Sequence, residues 1–335
     1  MNYINIHRFC QKAFRGEKMK KKYLVIILVI LSILSLFVGV TDIKLGDIFA
    51  LDNTKIEILL TSRVPRLISI VVAGIGLSIS GLIMQQISRN KFVSPTTAAT
   101  VDFAKLGILA SMLVFSSATT MQKMLISFSF SLVGTMIFMK MTKAIKFKNI
   151  IFIPLLGMML GKVVNSITTF FAYKYDLIQN LSSWMEGDLS MIMKGNYELL
   201  YLSIPVVIIS FLYANKFTVA GMGEDFATNL GLNYNSVVNI GLVIVSIISA
   251  VTIITVGNIP FLGLIVPNIV SLYLGDNLKN SLYHTALLGP IFLLACDIFG
   301  RIVIFPFEIS IGTTVGVIGS AIFLYMIVRR SENEA

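Results

Sequence analysis

The stretch TSRVPRLISIVVAGIGLSISGLIMQQI, residues 61–87, decides how the rest of the chain is read. From Leu67 to Ile87 it holds no charged residue, and about 20 apolar residues are what an α-helix needs to cross the hydrocarbon core of a bilayer. Gly74, Gly76 and Gly81, with Ser78 and Ser80, put a face of small residues on that helix. Such a face lets two helix backbones approach and pack in lipid. Just ahead of the apolar run, Arg63 and Arg66 flank Pro65, which is expected to fix a turn that holds both.

The pattern recurs along the chain, with apolar segments near 23–40, 67–87, 98–115, 124–141, 150–171, 197–214, 236–256, 259–274, 284–300 and 311–328. The expected fold is all-α, a polytopic membrane protein of about ten transmembrane helices. Composition agrees: the 335 residues are 56% hydrophobic and 13% charged, with mean hydropathy +0.86, where a soluble domain carries about 25% charged residues. The eighth segment is short and contains Pro260 and Pro267, so it is expected to be broken or tilted, which is tolerated where backbone is buried in protein or lines a cavity. Cys10 lies in a basic tail and Cys296 in an apolar run, so both thiols are expected to be free. The run MKKKYLVIILVILSILSLFVGV from Met19 resembles a secretory signal but lacks an A-x-A-like site, and reads as an uncleaved first helix. Residues 1–22 then form a basic, solvated cytoplasmic tail whose first 18 residues are open to being an upstream extension. Residues 23–330 form the membrane domain and 331–335 a short cytoplasmic tail.

Orientation follows from Lys and Arg, which concentrate on the cytoplasmic side of membrane proteins. The tail before Tyr23 and the loops 88–97, 140–149, 214–235 and 275–283, with the C-terminus, hold 17 of them. The opposite set, Lys44, Lys55, Arg63, Arg66, Lys123, Lys174, Lys194 and Arg301, numbers 8. Both termini are expected to be cytoplasmic, which puts Arg63, Arg66 and Arg301 outside. The net charge of +10 is spread through short loops with no aromatic-interleaved patch. It suits lipid headgroups, not nucleic acid.

No catalytic or metal-binding constellation is visible. His7 and His284 are far apart and outside any H-E-x-x-H pattern. GMMLGKV at 157–163 has the wrong spacing for a phosphate loop and lies in an apolar helix. Ionisable residues inside the apolar segments are Asp102, Lys105, Lys162 and Asp297; each is expensive in hydrocarbon and calls for a partner, a cavity or an interface. Asp102 and Lys105 are spaced to pair at i,i+3. Lys162 either neutralises an internal carboxylate or lines a polar passage with Asn165, Thr168 and Thr169. In the loop 214–235, the longest cytoplasmic one between spans, EDFATNLG reads as a short helix: Gly223 precedes Glu224 and Asp225 at the favourable N-terminal end, and Gly231 closes it. The bland alternative is a solvated surface helix; the functional one is a docking element.

Four ordered blocks carry a resemblance. RVPRLISIVVAGIGLSISGLIMQQISRNKFVSPTTA (63–98), GEDFATNLGL (223–232), GNIPFLGLIVPNIVSLYLG (257–275) and EISIGTTVGVIGSAIFLYMIVRR (308–330) are similar to the FecCD family, the permease subunits of bacterial iron-siderophore and cobalamin ABC importers. The likeness runs over nearly the whole chain from about Tyr23, and NKFVSPTTA resembles the catecholate or petrobactin branch. It departs from the usual pattern at TVDFAKLG (100–107), where small residues are common, and at Asn268, where His is usual.

The resemblance implies a non-enzymatic permease of the bacterial cytoplasmic membrane that dimerises with a second copy or paralogue around a central pathway. It implies two ABC ATPase subunits that use the ATP, an extracellular siderophore-binding protein that delivers the ferric chelate, and no cofactor or metal on this chain. Gly223, Glu224, Asp225, Ala227 and Gly231 are then expected to dock in the ATPase. Lys162, Asn165, Thr168 and Thr169 are expected to line the path between permease copies. Arg63, Arg66 and Arg301 are expected to meet carboxylates of the binding protein, since a planar guanidinium holds a carboxylate bidentately; headgroup anchoring is the alternative for them. The rival class is an ion-coupled secondary transporter or channel, with Asp102, Lys162 and Asp297 as its coupling residues.

Overall fold

A computed structural model describes residues 21–39, 53–115, 117–144, 152–275 and 278–334; most of the expected N-terminal tail lies outside these. Among the described residues the chain is all-helical with no strand, and Glu186 and Asn258 form an isolated parallel bridge. The helices are α1 (Lys21–Phe37), α2 (Asn53–Ile58), α3 (Val64–Ile87), α4 (Thr100–Val114), α5 (Thr120–Ala144), α6 (Phe152–Lys174) and α7 (Ile178–Met185). They continue with α8 (Ser203–Leu212), α9 (Ala214–Gly221), α10 (Glu224–Asn229), α11 (Tyr234–Val256), α12 (Leu262–Leu274), α13 (Leu278–Ile302) and α14 (Ile311–Glu334). Each of the ten apolar segments coincides with a helix. Among the described residues, six helices are long and apolar enough to cross a membrane, and α8 with α9 makes a seventh if this pair, bent by 61°, is one span. The helices α1, α4 and α12 have 17, 15 and 13 residues, short of the usual crossing length.

The opening stretch forms the hub. Helix α3 packs against α11, α12 and α13, and each of its glycines serves one of them. A methyl group on Gly74 would lie 2.6 Å from Pro290 Cα of α13; one on Gly76 would lie 2.7 Å from Ile248 of α11; one on Gly81 would run into the Gly263 carbonyl of α12. The small-residue face is a packing device, used on three sides. Ile70, Ala73 and Leu77 of α3 join Val251, Ile254, Val266 and Leu293 in one buried cluster, and Ile79, Ile83 and Ile87 join Val245, Ile248 and Leu282 in a second.

Pro65 does not make the expected turn. The helix is continuous from α2 through a π-helical turn (Leu59–Arg63) into α3, with Pro65 in the first turn of α3. Proline has no N–H for the carbonyl four residues back, and that carbonyl, Thr61 O, accepts the Lys194 N–H at 3.1 Å. Pro267 likewise lies inside α12 without ending it. The Gln85 side chain donates to Leu264 O at 3.2 Å beside the carbonyl that Pro267 leaves free, and Asn268 Nδ2 donates to both Leu264 O and Lys91 O at 2.7 Å. The third segment is nearly all helix, and what leads into it is not α-helical: residues 88–99 fold as turns and a 3-10 turn (Pro95–Ala98), Pro95 packs against Gly263, and α4 begins after Ala99 at φ 60°.

Candidate functional site

One end of the molecule gathers the three arginines. Helix α1 stops at Phe37, and its last carbonyls lack helical partners and carry the negative end of the helix dipole. Arg63 donates to Leu36 O at 2.6 Å, and Arg301 donates to Ser35 O at 3.0 Å, Val38 O at 2.8 Å and Ser35 Oγ at 3.0 Å. Two of the three therefore cap α1 and are buried, at 8% and 5% exposure. Arg66 bridges inward and outward: Nη2 meets Asp297 Oδ1 at 2.7 Å, and Nη1 meets Glu308 Oε2 at 2.7 Å. Asp297 also pairs with Arg301 one turn along α13. Asp297 thus sits between two guanidiniums, the hydrogen-bonded pairing a buried carboxylate requires. Arg66 and Glu308 keep 12% and 25% of their side chains exposed. Nothing in the sequence pointed to Glu308.

The opposite end carries the loop helix. Gly223 enters it at φ 121° and Gly231 leaves it at φ 76°, conformations that suit glycine. Leu232 N–H donates to Ala227 O at 2.9 Å and Gly231 N–H to Thr228 O at 2.8 Å, a Schellman ending. Ala227 is fully buried against the bundle, while Glu224, Asp225 and the apolar Met222, Phe226 and Leu230 are exposed. The outward face of the helix therefore carries Phe226 and Leu230 one turn apart, with Met222 ahead of Gly223, apolar positions that its acidic start and glycine end do not announce. Ala227, expected from the sequence as a contact, anchors the helix to its own chain. The guanidinium of Arg89, a residue at φ 46° after α3, approaches Gly223, linking this loop to the hub helix.

Midway between the ends, α4 meets α6. Lys105 does not close on Asp102 as its spacing suggested; its Nζ donates to Asn165 Oδ1 at 2.9 Å. Asp102 occupies the space that a side chain at Gly161 would need, with both Lys162 and Lys105 in electrostatic reach. Lys162 and Thr169 are exposed on α6, Asn165 is half-buried, and Thr168 points inward, bonding to Val164 O at 2.8 Å. The structure therefore joins Lys162 and Asn165 to Asp102 and Lys105, and sets Thr168 apart.

Known proteins share this architecture. The profile of the FecCD transport family matches residues 27–329. The petrobactin import system permease YclN of Bacillus subtilis is 63% identical over 312 residues, 93% of this chain and 99% of that one. The ferric-anguibactin permease FatD of Vibrio anguillarum is 38% identical over 295 residues, 88% of this chain and 94% of that one. A solved structure, described as an inward-facing conformation of a metal-chelate type ABC transporter, superposes with TM-score 0.81 at 20% identity, covering 92% of this chain and 98% of that one; at that identity it speaks for the fold.

Proposed function

The chain belongs to the FecCD transport family, and from that premise we propose that it is the membrane-spanning permease of an ATP-driven importer of a ferric siderophore of the petrobactin class. The carrying observation is identity of 63% to a petrobactin import permease across 93% of this chain. Residues 23–330 act as one permease domain in the bacterial cytoplasmic membrane. Ten crossings leave both termini and the loop 214–235 in the cytoplasm. The chain pairs with a second copy or a paralogue and binds no cofactor itself; ATP is used by separate ATPase subunits.

At the inner end, α10 enters a cleft of the ATPase, with Glu224 and Asp225 at its positive N-terminus, Gly223 and Gly231 fixing its ends, Ala227 rooting it and Phe226 and Leu230 as contacts. Helix-in-groove recognition of this kind reads apolar anchors at helical spacing. At the outer end, Arg66 meets a carboxylate of the binding protein, while Arg63 and Arg301 hold its platform on α1. Lys162, Asn165 and Thr169, with Thr168 behind them, face the passage between the two permeases. The test is uptake of ferric petrobactin by a strain lacking its own permease, with co-purification of the complex. ATP-dependent uptake and recovery of an ATPase carry the reading. Uptake that survives loss of ATP hydrolysis but collapses with the ion gradient would replace it by an ion-coupled carrier.

A further inference from the structure

Lys162 is the eleventh of the 23 residues of α6, about 15 Å from the nearer end at 1.5 Å per residue. Its side chain is exposed on the single chain, yet an ammonium at that depth is too far from either headgroup layer for its stem to reach out. Beside it are Asp102, Lys105 and Asn165, held by the Lys105–Asn165 hydrogen bond of 2.9 Å and by the carboxylate filling the notch above Gly161. The neighbouring segment 92–99 is not α-helical; it leads through a 3-10 turn (Pro95–Ala98) to Ala99, which ends against Gly161. Irregular backbone at membrane depth occurs where it is buried in protein or lines a water-filled cavity. Asp102 is the sole acidic residue on α4 and α6. It faces two ammoniums, so the cluster keeps one positive charge in excess.

We infer that Asp102, Lys105, Lys162 and Asn165 form an aqueous anion station halfway along the passage, which favours a negatively charged metal chelate over a cationic one. The inference rests on the importer reading above and adds a charge criterion to it. Lys105 is positioned by Asn165, and Asp102 reduces the pull of the two lysines. An anion is thereby held weakly enough to leave, as conduction demands. Lys162, exposed at the surface of the cluster, meets the ligand.

A cysteine at Ser166, exposed one turn beyond Lys162, reports the local potential in the assembled complex, with Cys10 and Cys296 replaced by serine. The readout is the rate ratio for an anionic sulfonate and a cationic trimethylammonium thiosulfonate reagent, normalised to a free thiol; the ratio cancels the thiolate fraction common to both. A unit charge about 6 Å away changes each rate about threefold or more even at the dielectric of water. The parent is expected to favour the anionic reagent. Lys162→Gln and Lys105→Gln should lower the ratio by about tenfold, and Asp102→Asn should raise it. Opposite shifts exclude a general structural disturbance, which would move all three variants alike. Labelling by neither reagent, or a ratio indifferent to the three charges, overturns the station. If the parent also takes up chelate with ATP in that case, the importer reading stands without it; if the unsubstituted complex takes up none, the importer reading and the ligand class fall together.

Discussion

At the scale of the residue, Asp297 holds one end of the molecule together. It sits 1% exposed between Arg66 and Arg301, and through them it ties α3, α13 and the end of α1 to the Glu308 segment. Removing one partner of a buried pair costs about 3–5 kcal/mol, because charge is left uncompensated. Asp297→Asn should therefore lower the thermal midpoint of the purified protein sharply or abolish its folding. Glu308→Gln, at the part-exposed half of the network, should cost about 1 kcal/mol or less. Equal midpoints for the two variants would show that the carboxylates are interchangeable. The basic half of this network was legible, since arginines on the side where positive charge is scarce stand out. Asp297 was legible as a charge in need of a partner, but neither which partner nor Glu308 was, since the two carboxylates lie 231 and 242 positions from Arg66. Nor was the capping of α1, because carbonyl acceptors have no residue signature. Docking by Arg66 carries its own test. Arg66→Glu would set a third carboxylate beside Asp297 and Glu308, so the variant is Arg66→Lys, which keeps the charge and loses the planar fork: uptake should fall with the ATPase still assembled, and unchanged uptake would send the arginine back to a structural role.

At the scale of the element, helices built on glycine read differently from helices built on period. The six residues of α10 are too few for a hydrophobic period to show which face is buried, whereas Gly223 and Gly231 mark its ends without ambiguity. Structure supplies the missing face, Ala227 inward and Phe226 with Leu230 outward. Ala227→Leu should dislodge the helix, since overpacking a full site costs about 1–3 kcal/mol. Phe226→Ala and Leu230→Ala should leave the fold unchanged and weaken recovery of the ATPase on co-purification. If both exposed substitutions retain the ATPase fully, this face is not the contact. The same distinction applies to α3. Gly81→Ala drives a methyl into the Gly263 carbonyl, a backbone atom that cannot step aside, so loss of folded protein is expected. Retention of wild-type stability would mean that α12 slides. The glycine face was legible as a packing surface from its spacing alone, but its three separate partners were not.

At the scale of the whole molecule, the question is how many times the chain crosses. Among the described residues, length and hydropathy give six helices, or seven with the bent pair, against ten apolar segments in the sequence. The difference lies in α1, α4 and α12, and two of these are short for a reason visible in the fold. The segment before α4, residues 88–99, completes the distance that 15 helical residues leave uncovered, and Pro95 is buried beside Gly263. The segment before α12 does the same: Asn258 N–H donates to Met185 O at one end, while Asn268 and Ser271 of α12 bond to Lys91 towards the other. Buried inside protein, irregular backbone needs no lipid-facing apolar length, so a count by helix length does not register a crossing made partly of it. The expected topology is ten crossings with α10 inside. Single cysteines at Lys123 and Lys194 should react with an impermeant thiol reagent on intact cells, and cysteines at Met222 and Leu230 only after permeabilisation. Labelling of Met222 from outside would reverse the orientation. Labelling of Lys123 and Lys194 from opposite sides would show that the helices between them, α5 to α7, cross an odd number of times, which ten crossings do not permit.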